Sequence, residues 1–201
     1  MDDEIYSKIT EGVRKPTKNK LALFFCGASG TGKTTGRHKF LRDAKLKTSF
    51  VYLNIDDIKG IEGREAMRLM FNKLLKRSIE DGYSIFYDGT CRNKSDVIPL
   101  IKELKSKNYK VMLGMVYSTL PTALKRVEER RGQFVSESAV RDIYQHMSKN
   151  AEEYMKVKEI DEVYLYNNEQ TITLVFQRSR KEVKCISPSS QFYFDVSEYC
   201  D

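Results

Sequence analysis

The segment that most constrains this chain is Gly27-Ala28-Ser29-Gly30-Thr31-Gly32-Lys33-Thr34, a full match to G-x-x-x-x-G-K-[ST]. Backbone N–H groups can wrap a triphosphate only where glycines permit unusual dihedrals and close approach. A helix must begin directly after the loop, so that its positive N-terminal end meets the same anion. The neighbours comply, with the apolar run Leu21–Cys26 before the loop and a helical pattern after it. In such a loop Lys33 follows the β- and γ-phosphates and the Thr34 hydroxyl ligates Mg²⁺. The implied ligands are ATP or another nucleoside triphosphate with Mg²⁺, held by Gly27 to Thr34 and by Thr35 in the first helical turn.

The remainder of the chain supplies the sheet that such a loop needs. Short apolar or β-branched runs at Leu21–Cys26, Ser49–Asn54, Ser84–Asp88, Lys110–Tyr117 and Glu162–Tyr166 have the form of strands covered on both faces. Helical periodicity lies between them, at Arg64–Asp81, Ser95–Lys107, Leu120–Arg131 and Ser136–Lys156. Strands alternating with helices predict an α/β fold, a mainly parallel sheet flanked by helices. The expected organisation is one kinase-sized domain over residues 1–168, opened by a polar leader over 1–20, with 169–201 as its C-terminal extension. In that extension Thr171–Phe176 and Glu182–Ile186 read as a hairpin around the basic turn Arg178-Ser179-Arg180-Lys181, and the last fifteen residues take no assignment.

Composition narrows the setting. In 201 residues, 40% hydrophobic and 31% charged, there is enough apolar material for one core and a well-solvated surface. No stretch approaches a membrane span, and the acidic start Met-Asp-Asp-Glu is unlike a secretory signal. The four cysteines are scattered without a C-x-x-C pair, which reads as free thiols in a reducing cytoplasm. The net charge of +7 tilts toward an anionic partner, with Lys102, Lys105, Lys107 and the Arg178–Lys181 turn as candidate phosphate contacts. His38 and His146 lack a second ligand at helical spacing and read as structural or surface residues.

A phosphate loop alone does not separate a phosphotransferase from a nucleotide switch or an ATPase. Asp57-Ile58-Lys59-Gly60 fits D-x-x-G and Asn93-Lys94-Ser95-Asp96 fits N-K-x-D, but the room between Thr34 and Asp57 holds only one helix and one strand. A switch of the GTPase kind needs more. The strand ends are more informative, because in open parallel sheets the ligand crevice lies beyond the carboxyl ends of the strands. Asn54-Ile55-Asp56-Asp57-Ile58-Lys59 ends the second strand, where one aspartate is placed to take a proton from an attacking hydroxyl and the other to cap a helix. Asp88, in Tyr87-Asp88-Gly89-Thr90-Cys91-Arg92, ends the third, placed for a Mg²⁺-bound water or an acceptor hydroxyl. Arg126 and Arg130 share a helical face ahead of Gly132, which reads as a helix end and a hinge. Facing a phosphate loop, they would neutralise charge on a transferred phosphoryl group.

With these motifs in order, the chain resembles the zeta-toxin family of P-loop kinases and, nearly as closely, the kinase domain of polynucleotide 5′-hydroxyl kinases. The zeta-like pieces are Tyr87–Arg92 with Asp96-Val97-Ile98-Pro99, and Val163-Tyr164-Leu165-Tyr166-Asn167-Asn168. The polynucleotide-kinase-like pieces are Asn54–Lys59, the arginine helix and Val135–Met147. The resemblance implies transfer of the γ-phosphate of ATP to a hydroxyl. It makes Lys33, Asp56, Arg126 and Arg130 the catalytic set, with Asp56 as general base and Arg131 as the substitute lid arginine. It places Asp57, Lys59, Asp88, Thr90 and Arg92 at the acceptor and Thr34 and Asp88 near the metal. The acceptor is then a small molecule, as in the nucleotide-sugar kinases, or a nucleic-acid 5′-end. Where zeta toxins usually carry Glu, this chain has Asp88, as polynucleotide kinases do. No antitoxin-like segment is visible.

Overall fold

The computed structural model describes residues 2–16, 18–47, 49–58, 60–130, 135–187 and 189–200. Seven strands form one sheet in the order β2-β3-β1-β4-β5-β6-β7. They are β1 (Lys20–Cys26), β2 (Val51–Leu53), β3 (Ile85–Gly89), β4 (Tyr109–Tyr117), β5 (Glu162–Asn167), β6 (Thr173–Arg178) and β7 (Val183–Cys185). The first five in spatial order run parallel, and β6 and β7 return antiparallel as the predicted hairpin. The helices are α1 (Asp2–Thr10), α2 (Lys33–Asp43), α3 (Arg64–Glu80), α4 (Lys94–Ser106), α5 (Leu120–Glu128) and α6 (Glu137–Met155).

The core explains the unbroken apolar runs. In β1, Ala22, Phe24 and Cys26 face a core shared with α3, α4 and α6, whereas Leu23 and Phe25 face the other side, against Phe40 of α2. Both faces are covered, so alternation with polar residues is absent. On α3, Met70, Phe71, Leu74, Leu75 and Ile79 are buried and Met67 is half-buried. The helix after β4 stops at Glu128, three residues short of the predicted Arg131. Arg131 and Gly132, the substitute arginine and the expected hinge, lie outside the described residues, as does Lys59.

Two expectations are overturned. The cysteines are not free: Cys26 pairs with Cys91 and Cys185 with Cys200, at Cα separations of 5.4 and 5.7 Å. Cys26 lies opposite Gly89 in the β1–β3 register, so a thiol two residues beyond Gly89 meets it across a sequence separation of 65. Four of the six basic residues flagged for phosphate are instead engaged within the protein. Lys105 and Arg180 pair at 2.6 and 2.7 Å with Asp161, which is buried and accepts from the Val111 N–H at the amino end of β4. Arg178 donates to the Met155 carbonyl and Lys107 pairs with Glu103. These charges hold together the end of the sheet opposite the phosphate loop.

Candidate active site

The sheet reverses its direction of growth at β1, with β3 on one side and β4 on the other, and the glycine-rich loop leaves β1 at that point. Its conformation depends on Gly30 and Gly32, both at positive φ (82° and 90°). A Cβ on Gly30 would stand 2.1 Å from the Ala123 carbonyl oxygen of α5, and one on Gly32 would stand 2.0 Å from Nδ2 of Asn168. Neither position admits a side chain. That Asn168 amide, just after β5, donates to the Thr31 carbonyl at 2.9 Å. The Thr31 N–H and hydroxyl both return to the Ala28 carbonyl, at 3.3 and 2.8 Å. The loop is thus framed by α5 and the end of β5.

Helix α2 begins at Lys33 with no side-chain cap and no acidic residue in its first turn. Its first N–H groups and positive end are left to the loop's concavity, where an anion would satisfy them. Thr34 and Thr35 are exposed there, and Ser29 and Gly30 are half-buried. The Lys33 ammonium donates to the Gly27 and Ala28 carbonyls at 2.9 and 3.2 Å. Burial pushes its pKa down to about 8, against an opposing pull from the charges of Asp88 and Asp56, while Arg130 adds to the lowering. Asp56, Asp88 and Arg130, drawn from three separate segments, therefore all act electrostatically on Lys33.

Asp56 and Asp57 occupy a short 3₁₀ turn, Ile55–Asp57, after β2. The cap of that turn is Asn54, whose side chain accepts from the Asp56 N–H at 2.9 Å, so neither aspartate caps it. Both are exposed. Asp88, by contrast, is 4% exposed at the end of β3. Its Oδ2 accepts from the Tyr52 hydroxyl, which in turn accepts from Arg37, and the Arg37 guanidinium lies 3.6 Å from Oδ2 and over the Tyr52 ring. Burial and the hydrogen bond to Asp88 push the Tyr52 pKa up to about 12, so the phenol stays protonated and remains a donor. Oδ1 of Asp88 has no partner among the described residues. A buried carboxylate oxygen without a partner is costly unless a ligand supplies one.

Thr90 is half-buried beyond Asp88, and Arg92 pairs with Asp142 of α6 at 3.3 Å. The Asn150 amide and the Tyr154 hydroxyl of α6 donate to the Arg92 and Cys91 carbonyls. The two predicted lid arginines part company. Arg126 donates to the carbonyls of Asn168 and Glu169 at 2.8 and 3.1 Å and so ties α5 to the segment that frames the loop. Arg130, one turn on, is exposed. His38 and His146 are both exposed, and no group of three metal-binding side chains occurs among the described residues. Arg37 and Tyr52 escaped the sequence reading, although Arg37 lies one helical turn beyond Lys33, a spacing that could have found it.

The sequence pattern of the zeta toxin family matches residues 3–181, most of the chain. The chain belongs to the zeta toxin family. It is accordingly an ATP-dependent P-loop phosphotransferase. The fold agrees. A chain from the PezAT chromosomal toxin–antitoxin system of Streptococcus pneumoniae superposes with a TM-score of 0.65 at 17% identity, over 92% of this chain and 81% of that one. The AvrRxo1-ORF1:AvrRxo1-ORF2 complex with sulphate ions gives 0.72 at 13% identity, over 99% and 71%. Its form with ATP gives 0.70 at 12%, over 92% and 68%. No curated protein matches the sequence. Among the described residues of this zeta-family chain, no helix is long and apolar enough to cross a membrane.

Proposed function

We propose that this zeta-family kinase transfers the γ-phosphate of ATP to a hydroxyl of a nucleotide sugar. One observation carries the acceptor side of this reading: the buried Oδ1 of Asp88, without a partner among the described residues, at the mouth of the crevice and coupled to Lys33. Its second oxygen is fixed by Tyr52, so Oδ1 alone is offered to a ligand. In this reading Gly27 to Thr35 bind the triphosphate, and a structural neighbour, the AvrRxo1-ORF1:AvrRxo1-ORF2 complex, was solved with ATP. Exposed Asp56 removes the proton of the attacking hydroxyl, and Arg130 neutralises charge on the phosphoryl group in flight. Asp57, Thr90 and Arg92 line the acceptor side, where Arg92 exchanges Asp142 for an anionic group of the substrate. Arg126 serves by holding α5 against the loop.

The donor set fits Mg²⁺, since the Thr34 hydroxyl and Asp88 Oδ1 are hard oxygen ligands and Oδ1 has no partner among the described residues. When bound, the ion would neutralise β- and γ-phosphate charge. The PezAT neighbour belongs to a toxin–antitoxin system. A proteinaceous antitoxin is accordingly part of the proposal. A second reading, a polynucleotide 5′-hydroxyl as acceptor, is supported by Asp in place of Glu at position 88 and by the +7 charge.

The deciding experiment incubates the protein with γ-labelled ATP and a panel of nucleotide sugars, RNA and DNA with 5′-hydroxyls, and no acceptor. Label on a nucleotide sugar, lost in Lys33→Ala, is the expected result. Label on nucleic acid selects the second reading, and label only in free phosphate sinks both.

A further inference from the structure

The chain after Lys181 lies outside the family match, yet it reaches the phosphate loop. From β7 it runs back over the carboxyl ends of β4 and β5. It is fastened there by the Cys185–Cys200 pair, by the Asn167 amide donating to the Gln191 carbonyl at 2.7 Å, and by Tyr199 donating to Glu152 of α6 at 3.0 Å. Phe192 and Val196 are buried beneath it. Between them Tyr193 packs edge-on against Tyr117, Tyr144 and Phe192, with ring centroids 5.0, 5.6 and 5.2 Å away. Its hydroxyl accepts from the Ala28 N–H and donates to the Val116 carbonyl, both at 3.2 Å.

We propose that Tyr193 is a positioning residue for the phosphate loop, delivered by a C-terminal strap that this chain carries beyond the family match. The argument concerns a single peptide group. The Ala28 N–H and the Gly27 carbonyl belong to the same peptide plane, and the carbonyl accepts the Lys33 ammonium at 2.9 Å. Tyr193 holds one edge of that plane and Lys33 rests on the other, so the phenol sets where the ammonium waits before a phosphate arrives. The phenol oxygen is oriented by two bonds at once, with the Val116 carbonyl taking its proton and leaving a lone pair for Ala28. Burial pushes the Tyr193 pKa upward, which keeps that proton in place at working pH. A loop fixed in advance loses less freedom when the triphosphate binds, so its geometry is read out in nucleotide affinity.

The test is Tyr193→Phe, which keeps the ring and its packing and removes only the hydroxyl. Affinity for a non-hydrolysable ATP analogue should weaken roughly five- to tenfold, the scale of one or two lost hydrogen bonds. The rate at saturating ATP should change less than twofold, and thermal unfolding should stay close to wild type. A ring that merely fills space predicts unchanged affinity, and that result would overturn the proposal. The wild-type chain supplies a second measurement that depends on no variant folding. In the nucleotide-free protein the Ala28 amide should exchange with solvent at least tenfold more slowly than those of Ser29 and Gly30. Equal exchange at the three positions would overturn the proposal as well. Neither readout involves the acceptor, so they stand or fall separately from its identity.

Discussion

The two halves of the crevice are built on opposite plans. On the triphosphate side the frame of the loop is bonded within the protein, and only the first N–H groups of α2 are left for the anion: Asn168 holds Thr31, Thr31 holds Ala28, Tyr193 holds the Ala28 N–H, and Gly30 lies where α5 leaves no room for a Cβ. On the side proposed for the acceptor, at the ends of β2 and β3, the carboxylates are left open. Asp56 and Asp57 are exposed, and one oxygen of Asp88 has no partner among the described residues. The triphosphate is the invariant reactant of this chemistry, so a template made in advance suits it. The acceptor must be recognised, and polar groups without protein partners gain theirs from a substrate, which makes their satisfaction a source of specificity.

The largest expected effect separates the two arginines of α5 and its exit. Arg130→Ala should lower the transfer rate by about a thousandfold, the low end for a lost arginine finger, with far less loss of ATP affinity. Arg126→Ala should do the reverse, weakening ATP binding and stability by releasing the 168–169 carbonyls while leaving the rate at saturation much closer to wild type. Single-turnover rates and ATP titrations on both variants decide it. Equal losses of rate would restore the paired lid. Next in size is Asp56→Asn, expected to cost at least about a hundredfold in turnover as a lost general base, with Asp57→Asn costing much less. The opposite ranking would move the base by one residue. Third is Tyr52→Phe, which leaves Oδ2 of Asp88 without its donor. It should raise the acceptor KM roughly tenfold and leave ATP affinity unchanged, since a hydrogen bond to a buried carboxylate is among the stronger ones. A matching loss of ATP affinity would show that the two halves are not separable.

This contrast also explains what the sequence made legible. The phosphate loop is local: its glycines, lysine and threonine are contiguous, and their spacing is dictated by the anion. The five parallel strands were visible because burial on both faces leaves unbroken apolar runs, and Asp56 and Asp88 because they stand at carboxyl ends of such runs. What stayed hidden depends on partners far along the chain. The hydroxyl of Tyr193 meets an amide 165 residues away, and Cys26 meets Cys91 only because β1 and β3 are neighbours. The basic residues were misread for the same reason, since a sequence displays Lys105 and Arg180 as surplus charge without displaying Asp161 between them. Arg37 and Tyr52 fall in between, each beside a legible residue but informative only when Asp88 closes the set.

The smallest effect tests the self-contained half alone. Burial holds the Lys33 ammonium at about 8 instead of its ordinary 10.5, so it loses its proton within the range an assay can reach. Below that value the ammonium is charged and can pair with a phosphate. Above it the amine is neutral and the attraction is gone. ATP affinity of the free enzyme should therefore weaken about fourfold between pH 7 and 8.5, as expected for one group titrating near 8. A bound triphosphate offsets the cost of burying the charge and lifts the value, so the fall belongs in kcat/KM for ATP and not in kcat at saturation. Stability must move the other way. The unfolded chain binds the proton up to about 10.5 and the folded chain only to about 8, so this residue's contribution to stability improves as pH rises through that window. Alkaline damage would lower affinity and stability together, which makes the opposed signs diagnostic. ATP titrations and thermal unfolding at the same series of pH values give both curves. A flat affinity profile would mean that Lys33 is solvated in solution, and the picture of a template closed on itself before ATP arrives would have to be given up.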